Sequence, residues 1–215
     1  MRIIFFDLDG TITRRDSLLP YVMGWLLRRP WTLPKLLLVI PAALRFVLAG
    51  RDHGALKGSL IHCTQGGCTG ADIERWNAIY VPGLLRKGLF TAAVAQLEQH
   101  RRAGDHLILM SASVDLYVPE VGRALGFHET FCTPVTWNGA RLDGALAGPN
   151  CRAEEKVRRL QAVRVKNPGC EIIAYGNSSP DLPHLIAADH AVLVNGGAAL
   201  RRHATQAGIE CVIWR

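Results

Sequence analysis

The chain has 215 residues, enough for one hydrophobic core or for a core with a small accessory domain. Apolar residues make up 49% and charged residues 20%, which excludes a disordered chain. A formal net charge of +7 favours anionic partners (phosphate esters, nucleic acid or acidic lipid headgroups) without choosing among them.

The chain opens on Ile3-Ile4-Phe5-Phe6, a continuous apolar run of the kind found in a fully buried parallel strand. It carries no charged leader, long apolar core or cleavage site, so the expected location is cytoplasmic, free or at the inner face of a membrane. The strand leads into Asp7-Leu8-Asp9-Gly10-Thr11. A long insertion then runs from about residue 14 to 86; it lacks strand signals and reads as helices, with Asp16 as N-cap of the first. From Leu18 to Ala49 the insertion is rich in Leu, Trp, Val and Pro, and its only charges are Arg28, Arg29, Lys35 and Arg45. The uncharged stretch Leu36 to Leu44 is shorter than the ~20 residues of a spanning helix, and Pro30, Pro34 and Pro41 interrupt the segment. Two readings stay open. The segment is an interfacial element with Trp25, Trp31 and basic residues flanking apolar faces, or it is a set of cap helices packed on one another.

Beyond the insertion, helical patterns over about 87–102, 114–125, 152–165, 181–188 and 198–206 alternate with strand-like runs. The runs are 106–110 ending in Ser111-Ala112-Ser113, 171–175 ending in Gly176-Asn177-Ser178, 191–194, and 211–214. Such alternation predicts an α/β fold with a doubly wound parallel sheet. Ligands bind such sheets at the carboxyl ends of the strands, where Asp7, Ser111 and Asn177 all fall. Val135-Thr136-Trp137, Asn138-Gly139 and Arg141-Leu142 form a hairpin pattern with a primed turn, expected at the sheet edge. The six cysteines are scattered with no Cys-x-x-Cys pair, and His62-Cys63 with Cys68 has no matching second half, so they read as small, buried, reduced side chains.

Asp7 and Asp9 stand two residues apart just past a strand, with a turn at Gly10, so the two carboxylates can take separate jobs. One can attack phosphorus and hold a cation while the other moves a proton. Alone, the pair is also compatible with a simple Asp-Gly turn.

Phe5-Phe6-Asp7-Leu8-Asp9-Gly10-Thr11 resembles the first signature of the haloacid dehalogenase superfamily phosphatases. The other signatures follow in order: Leu107 to Ser111, then Lys156, then Tyr175-Gly176-Asn177-Ser178-Ser179-Pro180-Asp181. Met110-Ser111-Ala112-Ser113, Tyr117-Val118 and Leu125-Gly126-Phe127 are similar to the phosphoserine-phosphatase-like branch, subfamily IB, whose helical cap is inserted after the first strand. The resemblance implies a Rossmann-like core from 1–13 and 87–215 with a cap over 14–86. It implies Asp7 as nucleophile, through an aspartyl-phosphate, and Asp9 as general acid and base. Thr11, Ser111, Ala112 and Lys156 would bind the phosphate. Mg²⁺ would be held by Asp7, the Asp9 carbonyl, Asn177 and Asp181, directly or through a water. The fourth signature usually begins Gly-Asp, so Gly176-Asn177 brings an amide where an acid is customary.

Against each assignment stands a plainer role: Asp9 and Thr11 shape the turn, Ser111 ends its strand, Lys156 is a solvated residue of a charged helix, and Asp181 is an N-cap. His184 reads as a helix-surface residue. The apolar, basic insertion, with Arg28-Arg29-Pro30 and Gly50-Arg51, resembles more loosely the phosphatidylglycerophosphatase C type. The expected substrate is therefore a lipid-linked phosphate such as phosphatidylglycerophosphate, with Arg14, Arg15, Arg51 and Lys57 as headgroup contacts and peripheral contact with an anionic membrane. The alternatives are a soluble phosphatase of the phosphoserine type and a phosphate- or membrane-binding module that keeps the fold. Dehalogenase chemistry is disfavoured because those relatives lack the second aspartate. No recognition motif or aromatic–basic platform points to nucleic acid.

Overall fold

The computed structural model describes residues 2–48, 50 and 52–215. In chain order come β1 (Arg2–Phe6), α1 (Leu18–Leu27), a 3₁₀ stretch (Pro30–Val39), α2 (Ile40–Leu48), α3 (His53–Gln65), α4 (Gly70–Lys87) and α5 (Thr91–Arg102). Then follow β2 (His106–Val114), α6 (Val118–Ala124), β3 (Glu129–Thr133), β4 (Val135–Asn138), β5 (Arg141–Leu146) and α7 (Glu154–Lys166). The chain closes with β6 (Glu171–Gly176), a 3₁₀ turn (Ser179–Asp181), α8 (Leu182–Ile186), β7 (His190–Val194), α9 (Ala198–Gln206) and β8 (Glu210–Val212).

Six strands form one sheet in the order β3-β2-β1-β6-β7-β8, and every neighbouring pair is parallel. The doubly wound expectation is met. Both faces of β1 are covered, which explains its unbroken apolar run. Ile4 and Phe6 join a layer with α5 and α6. Ile3 and Phe5 join the opposite layer with α7, α8 and α9. The direction of winding reverses between β1 and β6, so a crevice opens beyond their carboxyl ends.

Several boundaries differ from the pattern. Strand β2 runs on to Val114 instead of stopping at Met110; its pairing with β3 slips between Met110 and Val114, and Ser111 to Ser113 lie in that irregular stretch. β3 itself was not legible, because Glu129, Thr130 and Thr133 dilute its apolar signal at the sheet edge. The hairpin forms with the two-residue turn Gly139-Ala140, Gly139 taking φ +59° as a primed turn needs. It does not extend the sheet edge. It is a separate ribbon packed on α3, where Gly144 (φ +90°) lies so close to the His62 backbone that a Cβ would fall 2.7 Å from its nitrogen.

The insertion leaves and rejoins the sheet through neighbouring segments: Arg14 N–H donates to Gly88 O at 2.7 Å and Phe90 N–H to Ile12 O at 3.0 Å. Its helices α1 and α4 bury Tyr21, Trp25 and Trp76. The stretch Pro30–Leu48 behaves differently. Its prolines do not end it: Pro30 and Pro41 stand in first turns, where the missing N–H has no helical partner to lose, and Pro34 lies inside the 3₁₀ stretch, which continues past it. The result is one helical run of 19 residues, long and apolar enough by length and composition to cross a membrane, with none of it buried. Trp31 and Val47 are each 75% exposed.

Candidate active site

Asp7 leaves β1 beside the end of β6, its N–H donating to Tyr175 O at 3.0 Å while Phe6 and Tyr175 stack at 4.3 Å. The following loop folds on one acceptor: Ile12 and Thr13 N–H both donate to Leu8 O at 2.9 Å. Gly10 takes φ +84°, and a Cβ there would lie 2.0 Å from Asn177 Nδ2, so the turn tolerates only glycine for both conformational and steric reasons. This close approach brings the β1 and β6 loops together over the crevice.

Both carboxylates of the first loop are anchored. Thr11 Oγ1 donates to Asp7 Oδ2 at 3.1 Å, and Lys156 Nζ donates to Asp7 Oδ1 at 2.7 Å. Asp9 Oδ1 accepts the Ser17 N–H, and Asp9 Oδ2 accepts the Ser113 hydroxyl, each at 2.7 Å. Asp9 thereby ties the start of the insertion to β2. Ser113 N–H in turn donates to Ser111 Oγ at 3.0 Å.

Lys156 is 2% exposed and is no solvated surface residue. It projects from the first turn of α7, which Ala153 enters with φ +48°, a value rare for residues other than glycine. The neighbouring Glu155 binds Arg158 and Arg159, so these three charges are satisfied among themselves. Lys156 Nζ also donates to Asp181 Oδ1 at 2.7 Å. Asp181 makes no side-chain capping bond to α8; it closes the preceding 3₁₀ turn, its Oδ2 accepting from the Ser178 hydroxyl at 2.6 Å and the Ser178 and Asn177 N–H groups at 3.0 and 3.3 Å.

The electrostatics divide these acids. Asp7 and Asp181 share one lysine, yet burial pushes the Asp7 carboxyl up to about 7. Asp181 is buried too, but Lys156 beside it holds its carboxyl below the usual carboxylate range. The charges of Asp181 and Asp9 push Asp7 up further, while the Ser178 hydroxyl joins Lys156 in favouring the charged form of Asp181. Burial raises Asp9 as well. Lys156 is raised despite its burial, by Asp7 and Asp181. Two carboxylates thus meet one fully buried ammonium, and Asp7 is the one left short of positive charge.

That shortfall is the test of a metal. Among the described residues no three acid, His or Cys side chains converge on one point. The Asp7 carboxylate and the Asn177 amide do line one cavity with Asp9 and Asp181, a set of hard oxygen donors of the kind Mg²⁺ prefers. The residues therefore fit a hard divalent cation at an undercompensated buried acid.

The cavity has a volume of about 560 Å³ and is lined also by Lys57, Ala112 and Ser113. Lys57 reaches across from α3 to donate to Ala112 O, and to Asn150 Oδ1 at 2.8 Å. Its burial lowers the ammonium to about 8. Arg14 and Arg15 stand exposed at the rim, Arg14 folded back so that Nε donates to Leu89 O at 2.9 Å. Thr11 and Ser111 are fully buried behind the wall, where they hold Asp7 and the Ser113 backbone. Arg51 lies outside the described residues.

Sequence reasoning passed over Ser17, Ser113, His53, Asn150 and Arg152. Ser113 was within reach, two residues beyond Ser111 on an extended chain and hence on the same side. The others come from loops and the insertion, with no motif to mark them. His184 is not on a helix surface: it is wholly buried, its Nδ1 4.0 Å from Asp181 Oδ1, and burial lowers its imidazole to about 3.

Residues 4–185 match the family model of the haloacid dehalogenase-like hydrolases. Protein CicA of Caulobacter vibrioides is 34% identical over 193 residues, spanning 87% of this chain and 83% of that one. A probable phosphatase of Mycobacterium tuberculosis is 29% identical, over 95% of this chain and 72% of its own length. A phosphoserine phosphatase solved as a phospho-aspartyl intermediate analogue superposes with a TM-score of 0.66 over 98% of this chain and 92% of that one; at 13% identity this likeness concerns the fold alone.

Proposed function

The chain belongs to the haloacid dehalogenase-like hydrolase family, and we propose that it is a phosphatase for phosphate monoesters with Asp7 as nucleophile. The observation that carries this reading is the hold on Asp7, a buried carboxylate fixed between Lys156 at 2.7 Å and Thr11 at 3.1 Å on the wall of a cavity. Asp7 attacks phosphorus; a carboxylate–phosphorus bond forms as the ester P–O bond breaks, and Asp9 gives its proton to the leaving alcohol. Asp9, now anionic, takes a proton from the water that attacks the aspartyl-phosphate, which frees inorganic phosphate and restores Asp7. Ser17 and Ser113 keep Asp9 aimed through both steps. Lys156 offsets the charge gathered on Asp7 and the phosphoryl oxygens. Asp7, the Asp9 carbonyl and Asn177 would hold Mg²⁺, with Asp181 supporting through a water; when bound, the ion supplies positive charge against the phosphate. Thr11, Ser111 and the Ala112 segment shape the phosphate cradle.

We assign 1–13 and 87–215 to the catalytic core and 14–86 to a helical cap. The adjacent entry and exit of the insertion support this division. For the substrate we favour a lipid-linked phosphate such as phosphatidylglycerophosphate, met at an anionic membrane surface on the cytoplasmic side. The support is the exposed run Pro30–Leu48, with Lys35 and Arg45 among its apolar residues and Arg28 and Arg29 just before it. Lys57, Arg14, Arg15 and Arg51 are the proposed headgroup contacts. A soluble ester of the phosphoserine type is the second reading, and fold likeness to a phosphoserine phosphatase favours it.

The deciding experiment for the chemistry is Mg²⁺-dependent phosphate release from an aryl phosphate by the wild type and by Asp7→Asn. Release should stop in the variant; retained turnover removes Asp7 as nucleophile.

A further inference from the structure

Helix α3 separates two cavities. One side carries Lys57 into the cavity at Asp7. The other side faces a second cavity of about 850 Å³, walled by Leu38, Pro41, Ala42 and Phe46 of the exposed run and by Leu146 of β5. Leu56 and Asn150 line both cavities, so the two meet at one edge of the helix. Asn150 is also the residue that accepts from Lys57 Nζ. The chemistry therefore changes across a single side chain, from an ion-lined site to a mostly apolar groove of a size that takes a small organic ligand. The Phe46 and His53 rings meet edge to face at 4.9 Å, which seats α2 against the start of α3. Its outer wall is the helical run whose far side shows Leu37 and Leu44 to solvent.

We propose that this groove between α2, α3 and β5 receives the hydrocarbon chain of an amphiphilic phosphomonoester whose phosphate lies at Asp7. The inference rests on the phosphatase reading. An ester bound at Asp7 must direct its leaving group out of the catalytic cavity, and Leu56 offers that group an apolar exit. Apolar contact in the groove then supplies affinity that a headgroup held by exposed arginines alone lacks.

The test is a series of straight-chain alkyl monophosphates, butyl to decyl, below their micelle concentrations and without detergent. For the wild type, kcat/KM should rise roughly three- to four-fold for each methylene that enters the groove. Ala55→Trp and Ala145→Trp fill it from two different elements at exposed positions, so each should lower the decyl-to-butyl ratio of kcat/KM at least ten-fold. A flat wild-type series, or an unchanged ratio in both folded variants, overturns the proposal. Loss of the ratio only in a Leu37→Glu/Leu44→Glu variant would place the chain on the outer face and overturn it equally. The phosphatase reading fails separately, through absence of any turnover. In that event, calorimetric affinities for decyl and butyl phosphate decide the groove by the same ratio.

Discussion

The ends of β1 and β6 and the helical run Pro30–Leu48 are opposite solutions to exposure. At the strand ends, Asp7, Asp181 and Lys156 are buried and each is held by more than one bond. Along the run, Trp31, Leu37, Leu44 and Val47 are more than half exposed. A buried charge network tolerates little change, because each removed partner strands another charge in a medium that solvates it poorly. An exposed apolar surface adds nothing to folding, so its composition is free to serve something outside the chain. The contrast supports the proposal that the core carries the chemistry and the insertion chooses the substrate.

The largest expected effect breaks the first half of that contrast. Lys156→Met should abolish phosphate release and cost about 3–5 kcal/mol in urea unfolding, since Asp7 and Asp181 lose their shared counter-charge. A variant that keeps near-wild-type stability would show that the network does not hold the fold together. Next comes Ser113→Ala, which leaves Asp9 with the Ser17 N–H as its remaining described partner. Loss of a hydrogen bond to a charged group, about 1.5–3 kcal/mol, should lower kcat roughly ten- to hundred-fold with little effect on KM. A change confined to KM would move Ser113 from positioning Asp9 to binding substrate.

The second half of the contrast predicts the reverse pattern. Leu37→Glu with Leu44→Glu should leave unfolding stability within about 0.5 kcal/mol per site, as exposed positions do. The same variant should weaken binding to anionic vesicles more than about ten-fold, because it removes apolar contact and adds like charge. Strong destabilisation would mean that these two side chains pack on protein.

The smallest effect lies in the cap. Thr69 and Asp72 cap α4 reciprocally, Thr69 N–H and hydroxyl donating to Asp72 Oδ2 at 3.0 and 2.8 Å. These donors hold the Asp72 carboxyl below the usual carboxylate range. A depressed carboxyl contributes stability above its unfolded pKa of about 3.9 and loses it as pH falls. Thr69→Ala should therefore cost about 1 kcal/mol near neutrality, and less in thermal melts below about pH 4.

What the sequence determined by itself was β1, the Asp7–Thr11 loop, the alternation of strands and helices, and the order of the polar groups along the chain. These were legible because a strand covered on both faces must be apolar throughout, and the chain can leave it sharply only at a residue such as Gly10. Tertiary structure alone decided the rest. It turned Lys156 inward from a charged helix, buried His184, set the hairpin on α3 instead of the sheet edge, brought Ser17 to Asp9, and brought Ser113 and Asn150 to the cavity. It also left Pro30–Leu48 uncovered. The physical reason is the same throughout: periodicity and motif report what a side chain prefers, while what covers it depends on partners as distant along the chain as Lys156 is from Asp7.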